Sequence, residues 1–380
     1  MPLIIAGDTI TDNVIAALEQ SNRVRQVLLV NLEHWQFAKV LAPMQAPFPE
    51  LTYLRLWALE ETQLAIPDSF LGGSAPRLQI INLDSISFPG LPKLLLSATH
   101  LVELHLEDIP DSGYISPEAM VASLSVLSGL EGLSFGFQSP QFHPDQRGRS
   151  LPPPKRSIFP ALTTFCFKGV TEYIGELVSL IDTPQVDRLD ITLFDQTDFG
   201  FPRLAQFISC MPKLRELDKA HLLFCNLIAG VIFRSRTSEC SFSCRELERP
   251  ISFIKKVCDS SLHPLSKVKD LYIEYRSSSR SRGYYAIETT IWLELLLPFT
   301  AVENLYLSER FAPSIAAALQ ELVGTRITEV LPDLQNILVE GLKSSEPLQE
   351  NIGQFVAARQ LSNHPIAISD WDKYSNVRPI

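Results

Sequence analysis

The chain lacks features that would each point to a class of protein. Its longest apolar stretch, LLFCNLIAGVIF at 222–233, contains an asparagine and is shorter than the ~20 residues that span a bilayer. It has no basic excess, since 33 Lys and Arg face 43 Asp and Glu, for a net charge of −10. The N-terminal MPLIIAGDTITDN has no basic segment before its short apolar run, so no signal peptide is predicted. No membrane span is therefore predicted. A nucleic-acid partner is not expected either, because phosphate contacts need a basic face.

Cysteine is also scarce. Six cysteines in 380 residues are too few for a disulfide scaffold, which predicts a reducing compartment, the cytoplasm or the nucleus. Cys240 and Cys244 have a spacing that zinc sites use, but no second Cys/His pair lies near them in the sequence. Buried thiols are therefore the favoured interpretation, because a free cysteine behaves as a small apolar residue.

What the chain does have is a recurring Leu-x-x-Leu-x-Leu pattern. The copies begin at Val24, Leu51, Leu78, Leu101, Leu130, Leu162, Val186, Leu214 (degraded), Val268, Val302 and Leu334. The steps are 27, 27, 23, 29, 32, 24 and 28 residues, then one gap of 54, then 34 and 32. A period in the high twenties is typical of leucine-rich repeats, and the gap predicts a hidden copy near ECSFSC at 239–244.

The pattern predicts an α/β fold, an irregular leucine-rich repeat solenoid of roughly twelve repeats with a ribonuclease-inhibitor-like horseshoe shape. Each unit is a short strand followed by a helical or irregular return segment. FPELTYLRL at 48–56 and FPALTTFCF at 159–167 share a proline that we expect to end the preceding return segment and start an extended chain. The asparagine that usually follows the strand is missing, which indicates variable turns.

The domain organisation follows from this pattern. We expect an N-terminal cap of one strand and one helix at 1–22, a repeat region at 23–342 with an irregular segment at 222–262, and a C-terminal helical cap, strand and tail at 343–380. Caps are needed because the terminal repeats would otherwise expose the core.

Several stretches resemble the leucine-rich repeat region of fungal F-box-type proteins. They are PDSFLGGSAPRLQIINL, FPGLPKLLLSATHLVELHL, SGYISPEAMVASLS, WLELLLPFTAVENLYLSERFAP, EVLPDLQNILVEGL and IGQFVAARQLSNHPIA. The resemblance implies repeats that present a substrate to a cullin–RING ubiquitin ligase, whose adaptor an N-terminal F-box would recruit. Residues 1–23 hold one strand and one helix, whereas an F-box needs three helices. We therefore expect the ligase adaptor as a partner only if an F-box lies upstream.

Other motifs have structural interpretations. GLSFG at 132–136 matches the nucleophile elbow of serine hydrolases, but Ser134 falls inside a repeat strand and no helix can follow it, so hydrolase activity is the least favoured function. LGGSAP at 71–76 lacks the Gly-Lys-Ser/Thr of a phosphate loop and reads as a turn. The basic segments at 146–157 and 276–283 read as exposed loops, with a docking peptide for the first and RNA binding or phosphorylation for the second as alternatives.

The strand positions that face away from the core form the candidate site. On three neighbouring repeats they give one grid on the expected concave face, with the candidate protein-binding residues Tyr53, Arg55, Trp57, Asn82, Asp84, Glu103, His105 and Glu107. Metal binding by Glu103, His105 and Glu107 is a minor alternative. We predict a non-catalytic protein-recognition module without a cofactor, for an unknown and possibly basic protein or peptide; the alternative is a scaffold or sensor with no ligase link.

Overall fold

The computed structural model describes residues 2–7, 12–59, 65–140, 156–194, 201–225, 228–245, 250–260, 264–276, 287–324, 326–342 and 346–372. The chain divides into two compact units, Met1–Met211 (unit 1) and Pro212–Ile380 (unit 2). Both units are built mainly from short strands that alternate with return segments.

Unit 1 contains a sheet of parallel strands in the order β1-β2-β3-β4-β5-β6-β8-β10, and a small parallel pair, β7 and β9. The strands are β1 Leu3–Gly7, β2 Val24–Leu32, β3 Tyr53–Ala58, β4 Ile80–Asp84, β5 Glu103–Ile109, β6 Gly132–Phe137, β7 Ser157–Ile158, β8 Thr164–Gly169, β9 Ile181–Asp182 and β10 Arg188–Leu193. The helices are α1 Asp12–Leu18, α2 His34–Leu41, α3 Leu91–Leu95, α4 Pro117–Leu124, α5 Thr171–Leu180 and α6 Pro202–Ser209.

In unit 2 the strand order is β13-β12-β11-β14-β15-β16-β17. Its strands are β11 Lys219–Phe224, β12 Ile228–Arg234, β13 Glu239–Arg245, β14 Asp270–Tyr275, β15 Asn304–Leu307, β16 Asn336–Val339 and β17 Ala367–Asp370. Its helices are α7 Pro250–Asp259, α8 Thr289–Leu296, α9 Ala312–Gln320 and α10 Glu346–Leu361. The strands from β11 through β14 to β17 are parallel, as expected of stacked leucine-rich repeats.

The helical return segments agree with the sequence predictions. Ser116 caps α4 by accepting a hydrogen bond at Oγ from the Ala119 amide, at 3.3 Å. The sequences APSIAAALQELVG (312–324), EYIGELVSLID (172–182) and RLAQFISC (203–210) each predict a helix, and these segments correspond to α9, α5 and α6. The strand and helix of 1–22, and the helix and strand of the C-terminal segment, are present as β1, α1, α10 and β17. That they act as caps, with the domain limits given above, stays a prediction.

The recurring proline has a different role from the predicted one. Phe48 and Leu51 close a four-residue turn through a hydrogen bond from the Leu51 amide to the Phe48 carbonyl, and Phe159 and Leu162 do the same. Proline therefore occupies the second position of a β-turn, where its fixed φ is favoured and no amide hydrogen is needed. The first and fourth residues of both turns are buried, so the turn anchors the start of the strand in the core.

A backbone ladder at the strand entrances connects successive repeats. The Thr52 amide donates to the Arg25 carbonyl at 2.8 Å, the Gln79 amide to Thr52 at 2.9 Å, and the Val102 amide to Gln79 at 2.8 Å. The same contact recurs in unit 2, where the Glu303 amide donates to the Lys269 carbonyl at 2.9 Å. Each of these parallel repeat strands therefore starts at the same height as its neighbour, whatever the length of the intervening segment.

The degraded copy at Leu214 was placed three residues too early. The buried repeat positions are Leu217, two residues before β11, and Ala220, Leu222 and Phe224 within it. Leu214 is also buried, but it belongs to a short 3-10 turn before the strand. An alanine at the second leucine position hid the correct register, because Ala220 is core-facing but is not recognised as a leucine position.

The prediction of a hidden repeat near 239–244 is wrong. That segment is strand β13, but it pairs antiparallel with β12, and β12 pairs antiparallel with β11. A turn in which the Ser235 amide donates to the Ser238 carbonyl at 2.9 Å joins β12 to β13. The gap in the period is therefore filled by a β-hairpin. Cys240 and Cys244 are buried on its core side, next to Phe242, as the thiol interpretation predicted.

Candidate protein-binding face

The eight predicted site residues lie together on three adjacent strands. The register pairs Arg55 of β3 with Asn82 of β4, and Asn82 with His105 of β5. One row to each side, Tyr53 is in line with Glu103, and Trp57 with Asp84 and Glu107. The intervening positions, among them Leu54, Ile81 and Leu104, are buried in the core. The outward residues of β3, β4, β5, β6, β8 and β10 are called the strand face of unit 1 below.

The side chains of this face are already partly ordered in the protein without a ligand. Glu107 is exposed, whereas the other seven predicted residues are half-buried. The Nε atom of Arg55 is buried and has no hydrogen-bond partner among the described residues. His105 Nε2 lies 3.3 Å from Glu103 Oε2. Ordering such side chains on a rigid sheet reduces the entropy lost on binding.

Carboxylates concentrate around the end of β4. Asp84 accepts a hydrogen bond from the Ser85 hydroxyl at 2.9 Å. Burial raises the Asp84 pKa, and the charges of Asp108 and Glu107 raise it further, while the Ser85 hydrogen bond and Arg55 oppose this. This end of the face is therefore suited to a cationic group, which would relieve the repulsion between the carboxylates.

Asp108 joins this face through a β-bulge that sequence reasoning missed. Opposite β6, strand β5 carries one additional residue between Leu106 and Ile109, and Asp108 has a left-handed backbone with φ of 48°. Its carboxylate lies 2.5 Å from Lys168 Nζ of β8, two strands away. In the sequence, the one indication of this ion pair was Gly136 on β6, the strand between β5 and β8. A Cβ atom at Gly136 would lie 2.7 Å from Lys168 Cβ, so the glycine lets the lysine cross the strand.

The motif around Ser134 does not form a nucleophile elbow. Ser134 lies in the middle of β6, which is in register with β5 and β8 on its two sides. Across the sheet, Ser134 lies between His105 of β5 and Cys166 of β8. Burial raises the pKa of the Cys166 thiol to about 11, with a further contribution from Asp190. Neither side chain has the strand–turn–helix context that activates a nucleophile.

The outward face of unit 2 carries two ordered rows that the sequence analysis did not select. In the first, Asn336 Nδ2 donates to Asn304 Oδ1, and Asn304 Nδ2 donates to Asp270 Oδ1, both at 2.7 Å. In the second, the His221 and Tyr272 rings stack at 4.2 Å, and the Tyr272 and Tyr306 rings at 4.1 Å. Because Tyr272 stacks on both of its faces, only its ring edge is left for other groups.

Trp371, directly after β17, covers part of the second row. Its ring centroid lies 5.5 Å from that of Tyr306 and 5.9 Å from that of Tyr272, at angles of 65° and 56°. Inclined ring contacts of this kind are a favourable arrangement of ring quadrupoles. Part of the aromatic row of unit 2 is thus covered by the chain itself.

Two further predictions concern ligands and loops. Within the part of the chain that the structure describes, no three His, Cys, Asp or Glu side chains are grouped so as to hold a metal ion, and no helix has the length and apolarity to cross a membrane. Most of the basic segments at 146–157 and 276–283 lies outside the described residues.

Comparisons with known proteins add little to this description. No protein-family model and no curated protein matches the chain. A similar solved structure is that of the leucine-rich repeat-containing protein LegL7 from Legionella pneumophila, with 13% identity, a TM-score of 0.34, and coverage of 86% of this chain and 95% of that chain. The leucine-rich repeat assignment rests on the repeat spacing and the strand register.

Proposed function

We propose that the chain is a non-catalytic protein-recognition module that binds a peptide segment of its partner on the strand face of unit 1. The observation that supports this is the in-register grid of aromatic, polar and charged residues on β3, β4 and β5, held by a buried opposite side. Aromatic residues and arginine carry much of the binding energy at protein interfaces, and this face has both.

The chemistry of the face indicates the kind of partner. Tyr53 and Trp57 supply apolar surface at one side, while Asp84, Glu103 and Glu107 supply carboxylates within two strands. A segment with an apolar side chain flanked by lysine or arginine would match both features. The net charge of −10 would favour its approach, and added salt would weaken the encounter.

Variants with matched controls test this proposal. The partner is first captured on the full chain, and its affinity is then measured for Trp57→Ala and Glu103→Lys. Each should weaken binding by ~30-fold, about 2 kcal/mol, if the residue is central to the interface. Trp35→Ala and Glu118→Lys make the same changes at exposed positions of helices α2 and α4 and should leave the affinity unchanged. If both face variants bind within about twofold of the parent, the recognition surface lies elsewhere.

We further propose, from the resemblance to F-box-type repeats, that the partner is a ubiquitin-ligase substrate. If so, depletion of this protein should lower ubiquitylation of the captured partner and lengthen its half-life in cells. An unchanged half-life would favour the alternative of a scaffold without a ligase link. For residues 1–380 alone we expect no adaptor binding, because β1 and α1 do not make a three-helix F-box, and sub-micromolar binding in calorimetry would contradict this.

The absence of catalysis has its own test. A broad fluorophosphonate probe reacts with activated serines, and it should not label the chain, because Ser134 lies within a strand without the elbow geometry. Labelling that disappears in Ser134→Ala would establish a hydrolase instead.

A further inference from the structure

Strand β17 and Trp371 form an arm, residues 366–372, that unit 2 holds mainly through the backbone. Three of the four residues of β17 have exposed side chains, and the buried side chains of the arm are those of Ile366 and Trp371. The strand pairs in parallel with β16, and the Trp371 amide donates to the Val339 carbonyl at 2.9 Å. An element that buries so little side-chain surface opens more readily than the core strands do.

The connection between α10 and the arm is held by the end of the helix. Residues 361–365 are all exposed, and the His364 amide donates to the Arg359 carbonyl of α10 at 2.9 Å. Asn363 turns the chain back with a left-handed φ of 68°. His364 precedes a proline, a position that favours an extended backbone. The direction of the arm is therefore set by the torsion angles of one residue, Asn363.

The contacts of the arm are specific to its own sequence. The Leu342 amide donates to Asp370 Oδ1 at 3.1 Å. The Trp371 ring packs against the rings of Tyr306 and Tyr272. An arm that opened would leave an unpaired edge on β16, and such an edge pairs with a strand of matching register. The arm of a second copy of the chain offers all of these contacts unchanged.

Leu361, at the end of α10, indicates what an exchange of arms would add. Its side chain is 90% exposed, more than any other large apolar side chain among the described residues. When two copies exchange their arms, the two connections cross beside the symmetry axis, and each connection begins at this leucine. The two leucines would then pack against each other, and burial of apolar surface is favourable. This contact exists only in the exchanged pair.

We propose that two copies of the chain exchange the arm 366–372 and form a closed dimer, in which each β17 pairs with the β16 of the other copy. The Trp371 ring of one copy would lie against Tyr306 and Tyr272 of the other, so each aromatic row is completed by the second copy. Reciprocal exchange of one element is an accessible route to a two-fold dimer, because every contact of the element is kept. This inference concerns unit 2 and does not depend on the proposed function.

A disulfide across β16 and β17 distinguishes exchange from a simple surface contact. Leu338 and Ser369 are in register on the outward side of these strands, where neighbouring Cα atoms are ~4.8 Å apart, a spacing that a disulfide can bridge. The double variant Leu338→Cys and Ser369→Cys is made in a Cys210→Ser chain, because Cys210 is an exposed thiol. Oxidation then links the two cysteines within one chain in the closed form, and between two chains in the exchanged dimer.

The full chain is incubated a few degrees below its melting midpoint at about 5 µM and at about 500 µM, oxidised, and separated by non-reducing electrophoresis. We expect the fraction of chains linked to a second chain to rise at least about fivefold at the higher concentration. A chain that is oxidised while dilute is locked in the closed form, and after concentration it should remain monomeric by light scattering. The Cys210→Ser chain without the engineered pair controls for disulfides of the native cysteines.

Three results would overturn the proposal. They are a monomer at both concentrations, a dimer whose engineered disulfides all lie within single chains, and a locked chain that still dimerises.

Variants of the connection test the route of exchange. Asn363→Val disfavours the left-handed turn and should raise the dimer fraction at least about threefold, whereas Asn363→Gly favours the turn and should lower it. Leu361→Asp should lower the dimer fraction at least about threefold without a change in the melting of the monomer. Val323→Asp, the same change at an exposed position after α9, should leave the dimer fraction as in the parent. Equal dimer fractions in Asn363→Val and Asn363→Gly would contradict exchange through this connection.

Discussion

Arg359 Nη2 donates a hydrogen bond to the carbonyl of Leu331 at 2.9 Å, and Leu331 has a left-handed backbone with φ of 50°. The guanidinium also donates to the carbonyls of Ile327 and Pro332, at 3.2 Å each. Arg359 is fully buried in α10, and burial lowers its pKa. A cation in the core thus stabilises an irregular turn that has no leucine-rich repeat pattern.

Replacement of this arginine should destabilise unit 2. Arg359→Lys keeps the charge but not the planar donor set, and we expect it to lower the free energy of unfolding by about 2–4 kcal/mol. Chemical denaturation with tryptophan fluorescence measures the change. Arg77→Lys, on an exposed ion pair with Glu50, is the matched control and should leave the midpoint unchanged. Equal stability of the two variants would show that the carbonyls find other donors.

The two glycines of β6 should respond differently to a methyl group. Gly136→Ala places a Cβ 2.7 Å from Lys168 Cβ, so the strands must shift, at a cost of about 1–3 kcal/mol. Gly132→Ala meets Glu103 Cγ at 3.5 Å, an ordinary contact, and should be nearly neutral. Thermal unfolding of both variants measures the difference. A smaller loss of stability for Gly136→Ala than for Gly132→Ala would contradict the crossing of Lys168.

Asp84 should make stability depend on pH in a defined direction. Its folded pKa is raised above the ordinary value of 3.8, mainly by burial, so the unfolded chain loses this proton first as the pH rises. The contribution of Asp84 to stability is therefore greatest below pH 3.8 and falls as the pH passes through the folded pKa.

Asp84→Asn removes this penalty while it keeps an acceptor for the Ser85 hydroxyl. At pH 7 we expect the variant to be slightly more stable than the parent, by under ~1 kcal/mol because the site is partly solvated. The advantage should vanish near pH 3, in unfolding experiments at both pH values. A variant less stable than the parent at pH 7 would show that the attraction to Arg55 outweighs burial.

Trp371 should control the opening of β17. Trp371→Ala removes the contacts with Tyr306 and Tyr272, and we expect hydrogen exchange of the Ala367 amide, which donates to Gln335, to accelerate about tenfold or more. Trp35→Ala, on the exposed side of α2, removes an indole of the same size and should leave that exchange rate unchanged. Unaltered exchange in Trp371→Ala would mean that the backbone pairing alone holds the strand.

The repeat strands and the candidate grid were predictable because a strand alternates its side chains between two faces. Once Leu54 and Leu56 are assigned to the core, Tyr53, Arg55 and Trp57 must point outward, and the neighbouring strands follow in register. The same logic failed at Leu214, where Ala220 replaced a leucine and shifted the pattern by three residues.

The remaining features depend on contacts that a pattern does not encode. The hairpin of β12 and β13 alternates like a repeat strand, so only the pairing direction distinguishes it. The ion pair of Asp108 with Lys168 needs a bulge in one strand and a glycine in the next, two local events in distant parts of the chain. Arg359 appears in the sequence as one charged residue of a polar helix, and nothing nearby indicates that it is buried.

The entrance ladder has a consequence for how such a chain can change. Because each strand takes its starting height from the carbonyl of its neighbour, return segments of different length leave the rows aligned, as the steps of 23 to 34 residues already show. An insertion or deletion on the return side therefore does not shift which residues meet across the outward face. Substitutions at outward positions such as Asn82 or Thr164 can accordingly change the chemistry of the face one strand at a time, without a shift in the register of the other strands.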